Sequence, residues 1–431
     1  MRVLVLGGYG LIGEAVARRL LADGMSVTGL GREVGAARRR MPDMLWYAAD
    51  IARLTTAADW RPVLAGIDAL VNAAGALQDG ARDDLAAVHH HAMAALYAAC
   101  AEAGLQRFVQ ISAVGASPDA DTAFLRTKAA GDAALAASGL DWVILRPGLV
   151  VGAGAYGGTA LLRALAAFPV VTPLVLGDRP LQTVAVGDVA AAVARALAGG
   201  APSRKTFDLV EDRPQALADV VAAFRAWLGY PPARAVRVPV PFGNAVARIA
   251  DGLGRLGWRS PLRTTAMRAV TAGVTGDPEP WREATGAGVD PLAQTLQDLP
   301  STVQERWFAR MFLLKPAVLG ALSLFWLVSG LVGVAQLQAA AAILTQRGVP
   351  DGLAEAAVLA GSLADLMLGA AVLVRRTARP ALLGMIVVTL AYLLGATLVA
   401  PDLWLDPLGS LVKTLPAMLL AVVGLAILEE R

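Results

Sequence analysis

One cysteine, three histidines and a formal net charge of only +3 narrow the chemistry open to this 431-residue chain. The single Cys100 cannot close a disulfide within the chain, and its apolar, helical setting reads as a core position in a reducing compartment. The histidines stand side by side as His89, His90 and His91. Successive residues on a helix point about 100° apart, so three in a row do not converge on one metal, and no metal site is expected. The small net charge gives no reason to expect a nucleic-acid partner. Charged residues make up only 17% of the chain, whereas apolar residues make up 56%. With a mean hydropathy of +0.56, that balance excludes a purely water-soluble protein and predicts a division between a watery part and an apolar part. The N-terminus lacks the long apolar run and small-residue cleavage site of a signal peptide, so it is expected to stay in the cytoplasm.

What is abundant at the start is glycine. Residues 3–13 read VLVLGGYGLIG, an apolar strand followed by Gly7, Gly8, Gly10 and Gly13 and then an amphipathic run. Such a strand–turn–helix brings backbone N–H groups and the positive helix end to a phosphate, so Gly7, Gly8, Tyr9, Gly10, Leu11, Ile12 and Gly13 are expected to hold a dinucleotide. A second strand at 25–30 leads to Arg32, whose guanidinium suits the 2′-phosphate of NADP. The adjacent Glu33 could turn the preference to NAD. Strands are expected at 45–48, 69–71 and 108–111, with a helix over 84–103. Asp50 and Ile51 fall where adenine contacts are expected, and Ala73, Ala74 and Gly75 are small enough for a cofactor to lie against the backbone. This alternation predicts an α/β Rossmann-like doubly wound parallel sheet. Further strands are expected at 141–145 and 207–210, a helix at 215–228 and a strand at 235–240.

RFVQISAVGA at 107–116, FLRTKAAGD at 124–132, DWVILRPGLVVGAG at 141–154 and QTVAVGDVA at 182–190, taken with the glycine loop and Asp50–Ile51, resemble an atypical or extended short-chain dehydrogenase/reductase. The branch containing the nucleotide-binding accessory subunit of respiratory complex I is the most similar. The resemblance covers about the first 230 residues. It implies that Lys128 and Ser112 are candidate catalytic residues, and that Lys128, Pro147 and Gly148 also contact the cofactor. It implies, too, a small cap over a substrate cleft. One departure stands out. Catalytic members place a tyrosine four residues before the lysine, on the same helix face, as acid or base; here that position is Phe124. Ser112 also lies two positions short of where extended members often carry their serine, which here is Val114.

From residue 311 the composition changes. Apolar runs at 316–337, 353–374, 380–400 and 408–428 each reach about 20 residues, enough to cross roughly 30 Å of hydrocarbon. Arg306, Arg310 and Lys315 flank the first run, and Arg375, Arg376 and Arg379 join the second to the third. The other loops offer only Arg347 and the acids Asp402 and Asp406, so both chain ends are expected in the cytoplasm. Asp365 and Lys413 lie inside the runs, and an ion pair between them is one expectation. WLDPLG at 404–409, with Lys413 and Pro416, resembles the DoxX-like membrane family, some of whose members are tied to quinone or sulfur redox chemistry.

The expected organisation is an NAD(P)-binding domain with part of the cap at 1–230, the rest of the cap and a connector at 231–305, and an all-α four-helix transmembrane domain at 306–431. The expected function is a membrane-anchored oxidoreductase at the cytoplasmic (inner) membrane that uses NADP, or NAD, on a lipophilic or quinone substrate. The alternative is a non-catalytic NADPH-binding or redox-sensing module coupled to a membrane partner.

Overall fold

A computed structural model describes residues 1–75, 84–105, 107–258, 260–407 and 409–428. The chain forms two compact units, one of residues 1–251 and 260–309, the other of residues 252–259 and 310–431.

The first unit is built on β1 (Arg2–Leu6), β2 (Ser26–Gly31), β3 (Leu45–Ala48), β4 (Ala69–Asn72), β5 (Arg107–Ile111) and β6 (Asp141–Pro147). Short strands β7 (Leu149–Val151), β8 (Val171–Leu174), β9 (Pro180–Leu181) and β10 (Thr183–Ala185) follow, then β11 (Lys205–Leu209), β12 (Gln215–Ala216) and β13 (Arg234–Arg237). Seven strands make one sheet in the order β11-β6-β5-β4-β1-β2-β3, every pair parallel. In β1, Val3 and Val5 join one core and Leu4 and Leu6 the other, all fully buried. Alternate side chains of a strand face opposite ways, so this run of four apolar residues is what a sheet covered by helices on both sides demands. The helix Leu11–Ala22 buries Val16, Ala17 and Leu20 in the first of those cores.

β1 lies between β2 and β4, so the chain leaves it first toward one edge and later toward the other. That reversal opens a crevice beyond the carboxyl ends of β1 and β4. The remaining strands pair as β7–β10, β9–β12 and β8–β13 around a smaller core that includes Leu162, Leu181, Val220 and Phe224. The strand expected to reach Val240 stops at Arg237, because Pro239 and Pro241 flank the start of a helix, Val240–Arg255. Proline is favoured at a helix start, where no amide partner is lost.

Among the described residues, three helices are long and apolar enough to cross a membrane: Val303–Ala335, which enters the second unit at residue 310, Asp351–Ala371 and Arg375–Val399. The fourth apolar run yields a shorter helix, Thr414–Ile427. Gly409, with φ +65°, turns the chain between them, and the Asp406 carboxylate accepts from Ser410. Leu319, Leu322, Leu382, Met385 and Ala421 pack at the centre of this unit. At one end, the Arg347 guanidinium meets Asp402 at 2.5 Å, joining the loop after the first long helix to the loop after the third. At the other, the Trp258 indole N–H donates to Leu373 O at 2.6 Å, with Lys315 Nζ and the Arg375 guanidinium 5.8 and 5.6 Å from its ring. The ion pair expected between Asp365 and Lys413 does not form among the described residues. Lys413 is exposed just before the last helix, while Asp365 is buried and bonded to two hydroxyls.

Candidate functional site

The crevice beyond β1 is shaped by glycines that leave no room for a side chain. Gly7 has φ +69°, and its N–H donates to Leu30 O at 3.0 Å. A Cβ there would lie 2.9 Å from Ala73 O, and one on Gly13 only 2.2 Å from Gly7 O. The loop and the first turn of the helix are therefore pressed together, and Ala73 and Ala74 close the far side. Among the described residues no side chain caps the helix after Gly10, so its first amides point outward unclaimed by a described cap, as a bound phosphate requires. This backbone fits a dinucleotide pyrophosphate.

Toward the β2 edge, Tyr9 lies over Gly31, where an added Cβ would come 2.1 Å from the ring, and its hydroxyl accepts from Arg32 N–H at 3.3 Å. Arg32 is exposed. Asp50 is half-buried and caps the short turn Ile51–Arg53, its Oδ1 accepting from Ala52 N–H at 3.2 Å.

On the β4 side, Asn72 is buried between Ala74 N–H, which its Oδ1 accepts at 3.1 Å, and Gln110 Oε1, to which it donates at 2.9 Å. These bonds fix the 73–75 turn. A Cβ at Gly75 would meet His89 Nε2 at 3.2 Å and Lys128 Nζ at 3.3 Å. Lys128 is therefore not on the outer face of its helix. It is buried, donating to Ile111 O at 2.9 Å and Ala74 O at 3.4 Å, and burial pushes its ammonium down to about 8 although Asp132 opposes the shift. His89 Nδ1 lies 2.9 Å from Thr127 Oγ1, and the Thr127 hydroxyl itself donates to Phe124 O at 3.0 Å. A hydroxyl has one proton, so here the imidazole Nδ1–H is the donor. Burial, reinforced by the Lys128 charge, holds the ring neutral with its pKa pushed down to about 2. The ring meets Phe124 edge-on at 5.8 Å between centroids.

Behind the lysine, Ser112 Oγ donates to Asp132 Oδ2 at 2.7 Å, and Arg146 Nη2 reaches the same oxygen at 3.0 Å. Burial raises the Asp132 carboxyl despite both partners. Gly148, at the end of β6, sits where a Cβ would be 2.6 Å from Gln182 O. The structure thus brings Gly7, Gly13, Ala73, Ala74, Gly75 and Lys128 to one crevice. Arg32 and Asp50 stand apart on the β2 and β3 ends, and Ser112 belongs to the Asp132–Arg146 network.

Residues 7–199 match the NAD(P)H-binding family and residues 323–422 match the DoxX-like family. The chain joins an NAD(P)H-binding domain to a DoxX-like domain. Solved structures share the fold of the former. The enzyme WbmH from Bordetella bronchiseptica, in complex with NAD+, is 18% identical over 72% of this chain and 97% of its own, with a TM-score of 0.53. NADPH-dependent quinone oxidoreductase QOR2 from Escherichia coli, complexed with NADPH, is 20% identical over 68% and 98%, also at 0.53. A nucleoside-diphosphate-sugar epimerase from Pseudomonas aeruginosa is 21% identical over 69% and 95%, at 0.51. At such identities the likeness is one of fold. No curated protein matches the chain.

The NAD(P)H-binding match takes in the glycine loop, the 73–75 turn, Lys128 and Gly148, and the DoxX-like match takes in Asp365. Sequence reading missed three members of the first unit's polar interior. Asp132 carried a signal, since it stands four residues after Lys128 on one helix face. His89 reads only as one of three adjacent histidines unsuited to a shared metal, and nothing local places it beside Gly75. Glu211 gave no signal. It is buried, accepting from Thr183 Oγ1 at 2.8 Å, Gln215 Nε2 at 2.8 Å and Leu292 N–H at 3.2 Å, and so ties β10 to the connector.

Proposed function

We propose that the protein is a membrane-anchored NAD(P)H-dependent oxidoreductase acting on a lipophilic carbonyl or quinone, with its nucleotide domain in the cytoplasm. The observation that carries this reading is the buried Lys128 ammonium beside Gly75, within a domain fused to apolar spanning helices. In this reading the Gly7–Gly13 backbone holds the pyrophosphate, and Arg32 favours NADP by meeting its 2′-phosphate. Asp50 and Ile51 border the adenine, while Ala73, Ala74, Pro147 and Gly148 line the remainder. Lys128 donates to the sugar next to the nicotinamide, which supplies the hydride when the cofactor is bound. Ser112, through Asp132 and Arg146, fixes the floor behind that lysine. A lipid-soluble acceptor explains why a nucleotide domain is joined to a bilayer. The detergent-solubilised protein should carry NADP(H) detectable by mass spectrometry, and membranes containing it should oxidise NADPH with at least one of a panel of quinones and carbonyl lipids. Tight cofactor binding with no turnover on any acceptor would remove the enzymatic reading.

Phe124 favours a second reading, in which NADPH is held as a structural ligand or redox gauge for a membrane partner. Phenylalanine has no proton to exchange, and its ring is packed against His89. Phe124→Tyr separates the two. In an enzyme short of its acid the phenol should raise NADPH turnover by about 10²-fold, the ordinary worth of a positioned acid. In a binding module it should leave the rate at background.

A further inference from the structure

Asp365 is 5% exposed inside a helix apolar enough to span a bilayer. Its Oδ2 accepts from Ser329 Oγ at 2.7 Å and its Oδ1 from Tyr392 Oη at 2.8 Å. Each of the three long helices thus contributes one polar group, and no cation reaches the carboxyl among the described residues. An ionisable group at such depth is costly and marks a functional position more often than a structural one. Small residues make the arrangement possible. Gly361, one turn before Asp365, would place a Cβ 2.8 Å from the Tyr392 hydroxyl. Gly333, one turn after Ser329, would place one 2.2 Å from Ser362 Oγ. Both sites trade helix propensity for close approach.

The carboxyl is buried, but its partners are not. Tyr392 is 41% exposed and Ser329 is exposed, on helices that turn apolar Val328, Leu363 and Met367 outward. Access is therefore from lipid, which selects a lipid-soluble molecule. The hydroxyls are neutral and the carboxyl is an acceptor, so the site lacks any cation to hold an anionic head group. What it can take is a hydroxyl that donates. We propose that Asp365, Ser329 and Tyr392 form a site for a neutral, lipid-soluble hydroxyl donor, a phenol, hydroquinone or long-chain alcohol, with Asp365 as the acceptor of its hydroxyl proton in a hydrogen bond. The proposal does not depend on the reading of the nucleotide domain.

The test uses the full chain in lipid nanodiscs and equilibrium binding of decylhydroquinone, measured against empty nanodiscs. Wild type should prefer decylhydroquinone over its dimethyl ether at least tenfold, because the ether keeps the ring and tail but has no proton to donate. Asp365→Asn, nearly isosteric, should bind the hydroquinone at least tenfold more weakly and lose that preference. A merely structural role would weaken both ligands alike and leave their ratio unchanged. Tyr392→Phe should cost about threefold and keeps the question open to decision if the Asn variant does not fold. Competition by dodecanol equal to that by the hydroquinone would support the site and assign it to alcohols, whereas poor competition would support it and assign it to phenols. Equal binding of hydroquinone and ether to wild type, or a preference that survives Asp365→Asn, overturns the proposal.

Discussion

Gly13→Val should abolish nucleotide binding and lower the melting temperature of the NAD(P)H-binding domain together. A Cβ at Gly13 falls 2.2 Å from Gly7 O and 3.0 Å from Gly8 Cα, atoms of the backbone that cannot rotate away. Either the helix start shifts off the loop or the loop opens, and each outcome dismantles the amide cradle. Overpacking of this kind costs about 3 kcal/mol, which for a domain of this size is a fall of roughly 6–12 °C. Gly35→Ala is the matched control: nothing lies within 4 Å of its Cβ position, and a helical glycine replaced by alanine should leave stability equal or slightly higher. Differential scanning calorimetry with and without NADPH checks both variants. A Gly13→Val protein that melts like wild type would refute the close-packing account of the loop.

The second large effect concerns pH. Burial lowers the Lys128 ammonium to about 8, so the unfolded chain, whose lysines titrate near 10.4, holds more protons than the folded one between about pH 8 and 10.4. Stability of the domain should therefore rise with pH across that window. Nucleotide affinity should move the opposite way. If the charged ammonium grips the cofactor, the dissociation constant of NADPH should rise about tenfold per pH unit above 8, the slope of losing one proton. Lys128→Met should abolish both trends, stabilise the apo domain below pH 8 and weaken NADPH binding by about 30-fold at pH 7, in line with loss of a charge-assisted hydrogen bond. Fluorescence titration of NADPH from pH 6.5 to 9.5, paired with melting curves in the same buffers, separates these opposed slopes.

Much of the fold was legible because its signals are local. The apolar run of β1, the glycines after it and the alternation of strands and helices up to residue 147 each depend on a few neighbouring residues. So does the cradle at Gly7–Gly13. The interior of the site was less legible because burial is decided by distant packing. The resemblance gives Lys128 a site role, but its burial shows only once Ile111 O and Ala74 O are seen around its amine. Glu211 reads as one more acid in a loop, yet three segments depend on it. In the apolar unit, length and composition located the helices, but partner choice was beyond them. An Asp365–Lys413 ion pair is one expectation from the sequence, and the fold gives Asp365 hydroxyls from the first and third long helices instead. The strand that ends at Arg237 shows the converse, because Pro239 and Pro241 are a local signal for its end.

The shortness of the last helix would have a mechanical consequence for lipid around this unit. Thr414–Ile427 has 14 residues, or about 21 Å of rise, against a hydrocarbon layer of roughly 30 Å. Its three companions are long enough for the full thickness. Set in a bilayer, one side of the bundle would present a belt several ångströms shorter than the others, and the lipid would have to pinch inward there or take in the exposed Leu405 and Val412 of the preceding segment. In a bilayer, such lopsided mismatch would favour thinner membranes, a thickness preference that a single truncated helix would set.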